Sequence, residues 1–224
     1  LRSWVASSDY AEDLRIDNTI LAQHAETYRK IRNTFRFILG NIKDNFESQD
    51  VENLDISKFN ELEQYILHKL YTINKSVKQS LKDYNLHRLY KELLNFCALD
   101  LSSFYFDIRK DVLYCDSIDS QKRKDCVLVL NIILECLLKW FAPILVFTTE
   151  EIYDLISKEK NKSIHEYTFK DLPEKFHNQK LDLKWKELFK IKQEANIAIE
   201  EKRAKKIIGS SLEAEIKITA DSKS

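Results

Sequence analysis

Glycine and proline are almost absent from this sequence, with two of each in 224 residues. Tight turns depend on these residues, because glycine supplies positive φ angles and proline fixes φ at turn positions. A β-rich fold needs many such turns, so their scarcity argues against one. Leu, Lys, Ile and Glu are the commonest residues, which is typical of helical proteins. We therefore predict an all-α fold, an up-and-down helical bundle.

The charge balance and the cysteines limit the kind of partner and compartment. Acidic and basic side chains number 36 each, so a nucleic-acid site would have to come from local segregation of charge. The four cysteines are widely spaced, without a CxxC or a nearby His pair, and we expect reduced, packed thiols of a cytosolic protein rather than a zinc site. The sequence shows no signal peptide, and no apolar run long enough to span a bilayer.

Apolar periodicity predicts the order of the helices. A first long helix runs from about residue 18 to 40, and Asp17 is among its cap candidates. In the third predicted helix, the apolar periodicity places Leu99 on the inward face, so Leu99 is predicted to be buried. The spacing of Thr148 and Glu151 predicts a capping box that opens a short helix.

The C-terminal part of the chain is predicted to contain one helix followed by a strand. A last helix is predicted at about 184–206. Apolar and charged residues then alternate over 212–219, which predicts a β-strand. A single strand is not stable alone, so we expect a truncated β segment whose partner strands are missing.

The first long helix carries the best candidate for a binding site. At about 100° per residue, Ile31, Phe35 and Ile38 share one face. On another face lie the residues that we call the arginine row: Arg29, Arg32, Asn33 and Arg36. Planar groups with several donors on a rigid element suit phosphates and base edges. The row also fits a solvated face, with Arg36 paired to Asp44 for example, and the residues alone leave both interpretations open.

Sequence motifs of catalysis are lacking. We find no P-loop, GxGxxG, GxSxG or HExxH pattern. The acidic neighbours Glu12–Asp13 and Glu150–Glu151 would point about 100° apart on a helix, which does not make an acid/base pair. We predict no catalytic, cofactor-binding or metal-binding residues, and a binding module rather than an enzyme.

Five stretches of the chain, taken in order, resemble bacterial isoleucyl-tRNA synthetases, which are class Ia aminoacyl-tRNA synthetases. They are LRSWVASSDYAEDLRID at 1–17, YRKIRNTFRFILGN at 28–41, FYFDIRKDVLYCD at 104–116, LKWFAPILVFTTEEIY at 138–153 and IIGSSLEAEI at 207–216. The resemblance covers essentially the whole chain. It departs from the family at Val146, where proline is usual, and we expect this to alter a helix start without affecting function. Valyl- and leucyl-tRNA synthetases share the general plan, so the same domain of one of them is an alternative.

The resemblance implies a C-terminal fragment of such an enzyme, divided into four parts. Residues 1–17 would be the connection that follows an absent catalytic core, and residues 18–158 the anticodon-binding bundle. Residues 159–206 would be a connecting segment and the last helix, and 207–224 the start of the C-terminal junction. The HIGH and KMSKS motifs, the editing domain and the zinc module are not in this chain. The fragment is therefore expected to bind no ATP, magnesium or zinc and to perform no aminoacylation, which belong to the full-length ligase.

The resemblance also implies the partners. The main one is isoleucine tRNA, through its anticodon stem-loop, and another is the missing catalytic core of the same chain. We expect a cytoplasmic monomer without membrane contact. Tyr28 or Trp185 could stack a base. The predicted tRNA-binding residues are Arg29, Lys30, Arg32, Asn33, Arg36, Lys202, Arg203, Lys205 and Lys206.

The competing interpretation is a helical scaffold or protein-interaction bundle without direct RNA contacts. The last four of these residues, Lys202, Arg203, Lys205 and Lys206, are called the basic cluster below. If the arginine row and the basic cluster shared one surface free of acids, RNA binding would be favoured. If they were dispersed or each paired with an acid, a scaffold would be favoured, since cations near a helix C-terminus already stabilise it by about 0.3–1 kcal/mol each.

Overall fold

Helices form every regular element in the part of the chain that a computed structural model describes, residues 1–42, 46, 48–157, 162–210 and 213–219. The prediction of an all-α bundle is confirmed. The chain divides into two compact units, Leu1–His177 and Asn178–Ser224. None of the described helices is both long enough and apolar enough to cross a bilayer.

The first unit contains most of the helices. They are α1 (Arg2–Ser7), α2 (Asn18–Ile42), α3 (Glu61–Lys82), α4 (Leu86–Asn95), α5 (Phe106–Cys115), α6 (Gln121–Phe141) and α7 (Val146–Ile156). A π-helical segment, Phe96–Tyr105, joins α4 directly to α5. Short 3₁₀ turns lie at Ile56–Lys58, Ile164–Glu166 and Glu174–Phe176.

Helix α6 lies at the centre of this unit. It packs against α2, α3, α5 and α7. Its residues are buried on nearly all sides between Val129 and Leu138, as expected for a helix that is apolar around most of its circumference. It ends at Phe141, two residues before Pro143, which cannot continue a helix without losing a backbone hydrogen bond.

Helix α2 begins where its capping residue predicts. The Asp17 carboxylate accepts a hydrogen bond from the Ile20 amide at 2.7 Å, which satisfies a backbone donor that has no partner within the helix. The helix runs through Gly40, which the sequence suggested as its end, and stops at Ile42. It packs against α1, α6 and the π-helical segment.

The prediction that Leu99 is buried was wrong. Leu99 lies in the π-helical segment and is 61% exposed. The wider π turn, with hydrogen bonds from i to i+5, shifts the phase of the apolar stripe relative to an α-helix. The hydroxyls of Ser102 and Ser103 follow the same spacing, because they donate to the carbonyl oxygens of Cys97 and Ala98 at 2.8 and 2.9 Å.

Two other local predictions were also wrong. Helix α7 starts at Val146 and not at a capping box formed by Thr148 and Glu151. The Thr148 hydroxyl lies 2.9 Å from the hydroxyl of Tyr28 instead. No strand forms over the described residues 213–219, where no partner strand takes up the backbone hydrogen bonds; Leu212 lies outside the described residues.

The second unit is built on one long helix, α8 (Gln179–Ala204). It begins earlier than the periodicity predicts, because the Asn178 side chain caps it. That side chain accepts a hydrogen bond from the Leu181 amide at 3.0 Å.

A buried ion pair links α3 to α5 in the first unit. Arg109 donates from Nε to Glu63 Oε1 and from Nη2 to Glu63 Oε2, both at 2.6 Å. The side chains of Glu63 and Arg109 are 0% and 8% exposed. Burial alone would lower the pKa of Arg109, but the hydrogen bonds and charge of Glu63 raise it above its ordinary value. Tyr105 adds a hydrogen bond to Glu63 Oε1 at 3.3 Å, and burial raises the pKa of this tyrosine.

We expect one cysteine of four to react in the native protein. All four are free thiols, and Cys115 is exposed whereas Cys97, Cys126 and Cys136 are buried. Burial raises the pKa of Cys97 and Cys136 to about 12 and that of Cys126 to about 11. Because the thiolate is the nucleophile, these three should stay unmodified at pH 8 while Cys115 is alkylated. Mass spectrometry after a timed iodoacetamide pulse checks this, and rapid loss of all four native thiols would contradict it.

Candidate nucleic-acid interface

Helix α2 has the two faces that its periodicity predicts. Ile31, Phe35 and Ile38 are buried against the rest of the first unit. The arginine row and Lys30 are exposed. The apolar face thus fixes the helix, and the polar face is presented to solvent.

Contacts on the buried side hold α2 firmly against its neighbours. The Thr34 hydroxyl lies 3.4 Å from the Cys97 carbonyl oxygen and 3.3 Å from the Ser102 hydroxyl, both in the π-helical segment. The ring of Phe37 stacks on that of Phe106 with centroids 4.2 Å apart. These partners are more than 60 positions away in the sequence, so periodicity within α2 could not reveal them. They place the arginine row on a rigid support.

The cations of the arginine row differ in their partners. Arg29 pairs with Glu26 on the preceding turn. Arg32 and Arg36 form no ion pair, and the Asn33 amide no hydrogen bond, with any described residue. Asp44, the partner considered for Arg36, lies outside the described residues. Two guanidinium groups and one amide are therefore available to a ligand on a single helix face.

The basic cluster lies at the end of α8, and its members are exposed. Arg203 pairs with Glu200 at 2.7 Å. The Ile207 amide donates to the Lys202 carbonyl at 3.0 Å and the Lys206 amide to the Arg203 carbonyl at 2.9 Å, which is a Schellman motif. The backbone of the cluster therefore ends the helix, and its side chains carry the positive charge. The cluster belongs to the second unit and the arginine row to the first, so their joining in one surface stays a prediction.

The Schellman motif leads to a stability prediction at Lys206. This residue has φ of 57°, a left-handed conformation in which a Cβ costs about 1 kcal/mol. Lys206→Gly should be more stable at this helix end than Lys206→Ala, since both variants lose the charge and only one loses the Cβ. We expect the Ile207 amide to exchange about fivefold more slowly in the glycine variant. Equal exchange rates in the two variants would be inconsistent with strain at Lys206.

Both aromatic residues suggested by the sequence are partly buried. Tyr28 is half-buried, and its hydroxyl is hydrogen-bonded to Thr148. Trp185 is half-buried as well. Within the described ranges, no group of three or more His, Cys, Asp or Glu residues is placed to hold a metal ion.

An all-helical bundle that offers unpaired guanidinium groups on a rigid helix has the features of an RNA-binding helical domain. The family model for the anticodon-binding domain of tRNA ligases matches residues 63–218, and the chain belongs to this family. Membership implies tRNA as the ligand and favours RNA binding over a scaffold role.

Within this family, the chain is similar to isoleucine–tRNA ligases of several bacteria. The isoleucine–tRNA ligase of Pelagibacter ubique is 62% identical over 216 residues, covering 96% of this chain and 24% of that protein. The isoleucine–tRNA ligase of Mesorhizobium japonicum is 39% identical over 214 residues, covering 96% of this chain and 21% of that protein. That of Syntrophotalea carbinolica is 37% identical over 220 residues, covering 98% and 24%. The resemblance seen in the sequence is confirmed, and the chain spans about a quarter of the length of these relatives.

The family match covers only some of the candidate tRNA-binding residues. It begins at residue 63, so the basic cluster falls inside it and the arginine row on α2 falls outside it. The assignment of the arginine row therefore rests on its own geometry, namely its exposure, its unpaired charges and its rigid support.

Proposed function

We propose that this chain is the anticodon-arm-binding domain of an isoleucine–tRNA ligase and that it docks the anticodon stem-loop of isoleucine tRNA. The observation that carries the proposal is the pair Arg32 and Arg36, exposed on a packed helix without an ion pair to any described residue. Family membership and the similarity to isoleucine–tRNA ligases support the choice of RNA.

The proposed contacts follow from the chemistry of the side chains. Arg29, Arg32 and Arg36 meet phosphates or base edges, because guanidinium groups make two parallel hydrogen bonds to such acceptors, and Lys30 meets them through its ammonium group. Asn33 donates to and accepts from a base edge. Unstacked loop bases are the readable part of an RNA, whereas the stem offers mainly its backbone. The basic cluster holds that backbone.

The domain acts in catalysis through binding. In the full-length ligase, isoleucine is attached to the tRNA with ATP in a catalytic core to which this domain is joined. Magnesium, ATP and zinc are used by other parts of that enzyme, and this domain holds no cofactor. Binding of the anticodon arm orients the acceptor end, and part of this remote binding energy can appear in turnover. The protein works as a monomer in the cytoplasm, where free thiols such as its four cysteines persist.

A salt titration of RNA binding tests the proposal. The affinity of the chain for an isoleucine tRNA anticodon stem-loop is measured by fluorescence anisotropy at several salt concentrations, beside an unrelated stem-loop. Each phosphate contact to single-stranded RNA should contribute about 0.7 to the slope of log affinity against log salt. The double variant Arg32→Ala, Asn33→Ala should lose the preference for the cognate loop and reduce the slope.

The control is a cation of the same unit on another helix. Arg88 is exposed on α4, and Arg88→Ala should leave the preference and the slope nearly unchanged. Weak binding to both stem-loops, insensitive to the Arg32 and Asn33 changes, would mean that recognition does not lie on α2 and that this bundle serves as a scaffold.

A further inference from the structure

Tyr114 presents an exposed aromatic ring beside the arginine row. It lies near the end of α5 and is 65% exposed. Its ring meets the ring of Phe37 edge-on, with centroids 6.3 Å apart and planes at 77°. Phe37 follows Arg36 directly in α2 and lies one turn after Asn33. Tyr114 is thus connected through a single ring to the helix that carries the row.

The position of Tyr114 is supported by a set of packed rings. Phe37 stacks on Phe106 with planes only 14° apart, and Phe106 is buried. Tyr114 belongs to the same helix as Phe106, two turns further on. The contact with Phe37 holds the Tyr114 ring in place, and because the residue is 65% exposed, most of its surface is open to solvent.

The charges on α5 itself, around Tyr114, favour an uncharged ligand group. Asp111 is exposed one turn before Tyr114 on α5. Lys110, the nearest cation on that helix, pairs with Asp107 at 2.8 Å. A phosphate over Tyr114 would face the Asp111 carboxylate, whereas a nucleobase carries no net charge. The phosphates would instead meet Arg32 and Arg36.

We propose that Tyr114 stacks on an unpaired base of the RNA whose phosphates the arginine row binds. The inference rests on the proposed function and adds a contact residue on a second helix. A basic strip beside an exposed aromatic ring is the combination that binds single-stranded nucleic acid, since every base has a face that can stack. Tyr114 then selects for an unstacked base in the loop, while the arginine row binds the neighbouring phosphates and base edges.

The test uses the full chain and an anticodon stem-loop that carries 2-aminopurine at one unpaired position at a time. Tyr114→Ala should weaken binding by roughly five- to hundredfold, the range that removal of one stacked aromatic side chain produces. Tyr114→Phe should bind like the wild type, since stacking does not require the hydroxyl. At one loop position, 2-aminopurine fluorescence should be quenched on binding by the wild type and by Tyr114→Phe, but not by Tyr114→Ala. Tyr10→Ala removes another exposed tyrosine and serves as the matched control.

The outcomes separate this inference from the proposed function. If Arg32→Ala with Asn33→Ala weakens binding but Tyr114→Ala does not, the stacking inference fails and the proposed function stands. If neither variant changes binding, both fail. Equal losses with Tyr114→Ala and Tyr10→Ala would also contradict a specific stack, and unchanged circular dichroism of Tyr114→Ala shows that the variant is folded.

Discussion

Replacing Glu63 by alanine is expected to lower the free energy of unfolding of the first unit by about 3–5 kcal/mol. The change leaves the Arg109 guanidinium buried without its carboxylate, and an unpaired buried charge costs this much. Arg109→Ala should be similarly harmful, because it leaves the Glu63 carboxylate unpaired at 0% exposure. A whole domain is stable by about 5–15 kcal/mol, so either change removes a large part of the total.

Protection of the buried thiols measures this loss within the first unit. Cys97 and Cys136 are buried there and react only when the unit opens. At 1.4 kcal/mol per factor of ten, their labelling should become between about a hundred and several thousand times faster in Glu63→Ala. The second unit, which has none of the four cysteines, does not contribute to the signal.

Two controls show whether the cost comes from an isolated charge or from the loss of a favourable pair. Replacing both partners by apolar residues, Glu63→Leu with Arg109→Met, should restore most of the protection, because no buried charge remains. Lys110→Ala removes a neighbouring exposed ion pair and should not change the labelling rate measurably. If the apolar double variant were as unstable as the single variants, the explanation by an isolated charge would be wrong.

The ion pair also shows where prediction from the sequence stops. Glu63 and Arg109 lie 46 positions apart, and each is a charged residue on a helix, which composition and periodicity assign to solvent. Only the packing of α5 and α3 around α6 brings the two side chains together. In contrast, the burial of Ile31, Phe35 and Ile38 depends on the 3.6-residue period alone, so it could be predicted from α2 by itself.

The candidate site likewise has one part that the sequence predicts and another that only the packing of the helices reveals. The exposure of Arg32, Asn33 and Arg36 follows from their place opposite the apolar face of α2. Tyr114 could not be connected with them, because the π-helical segment before α5 changes the register between the helices, as the exposed Leu99 shows. A strand pattern such as that of 213–219 also needs a partner, which a single segment does not specify.

Reversing the charge of the arginine row should abolish most specific RNA binding. In the double variant Arg32→Glu, Arg36→Glu, two contacts to phosphate are lost and two carboxylates face the RNA. A hydrogen bond to a charged group contributes about 1.5–3 kcal/mol, so the loss of two should weaken binding about a hundredfold or more at low salt. The slope of log affinity against log salt should fall by roughly 1.4, which corresponds to two contacts at about 0.7 each. The fold should tolerate the change, because both side chains are exposed and neither has an ion pair among the described residues.

A matched reversal on another helix separates a local contact from a general effect of charge. Arg88 and Lys91 are exposed on α4, and Arg88→Glu with Lys91→Glu changes the net charge by the same amount. If the arginine row binds phosphates directly, the α4 variant should lose affinity only a few-fold, and this loss should disappear as salt is raised, because exposed charges more than about 10 Å apart are screened at 0.1 M salt. Equal losses in the two variants would mean that α2 contributes only to the overall field of the protein. The RNA contacts would then have to be sought on the basic cluster of α8, which lies within the segment that the family match covers.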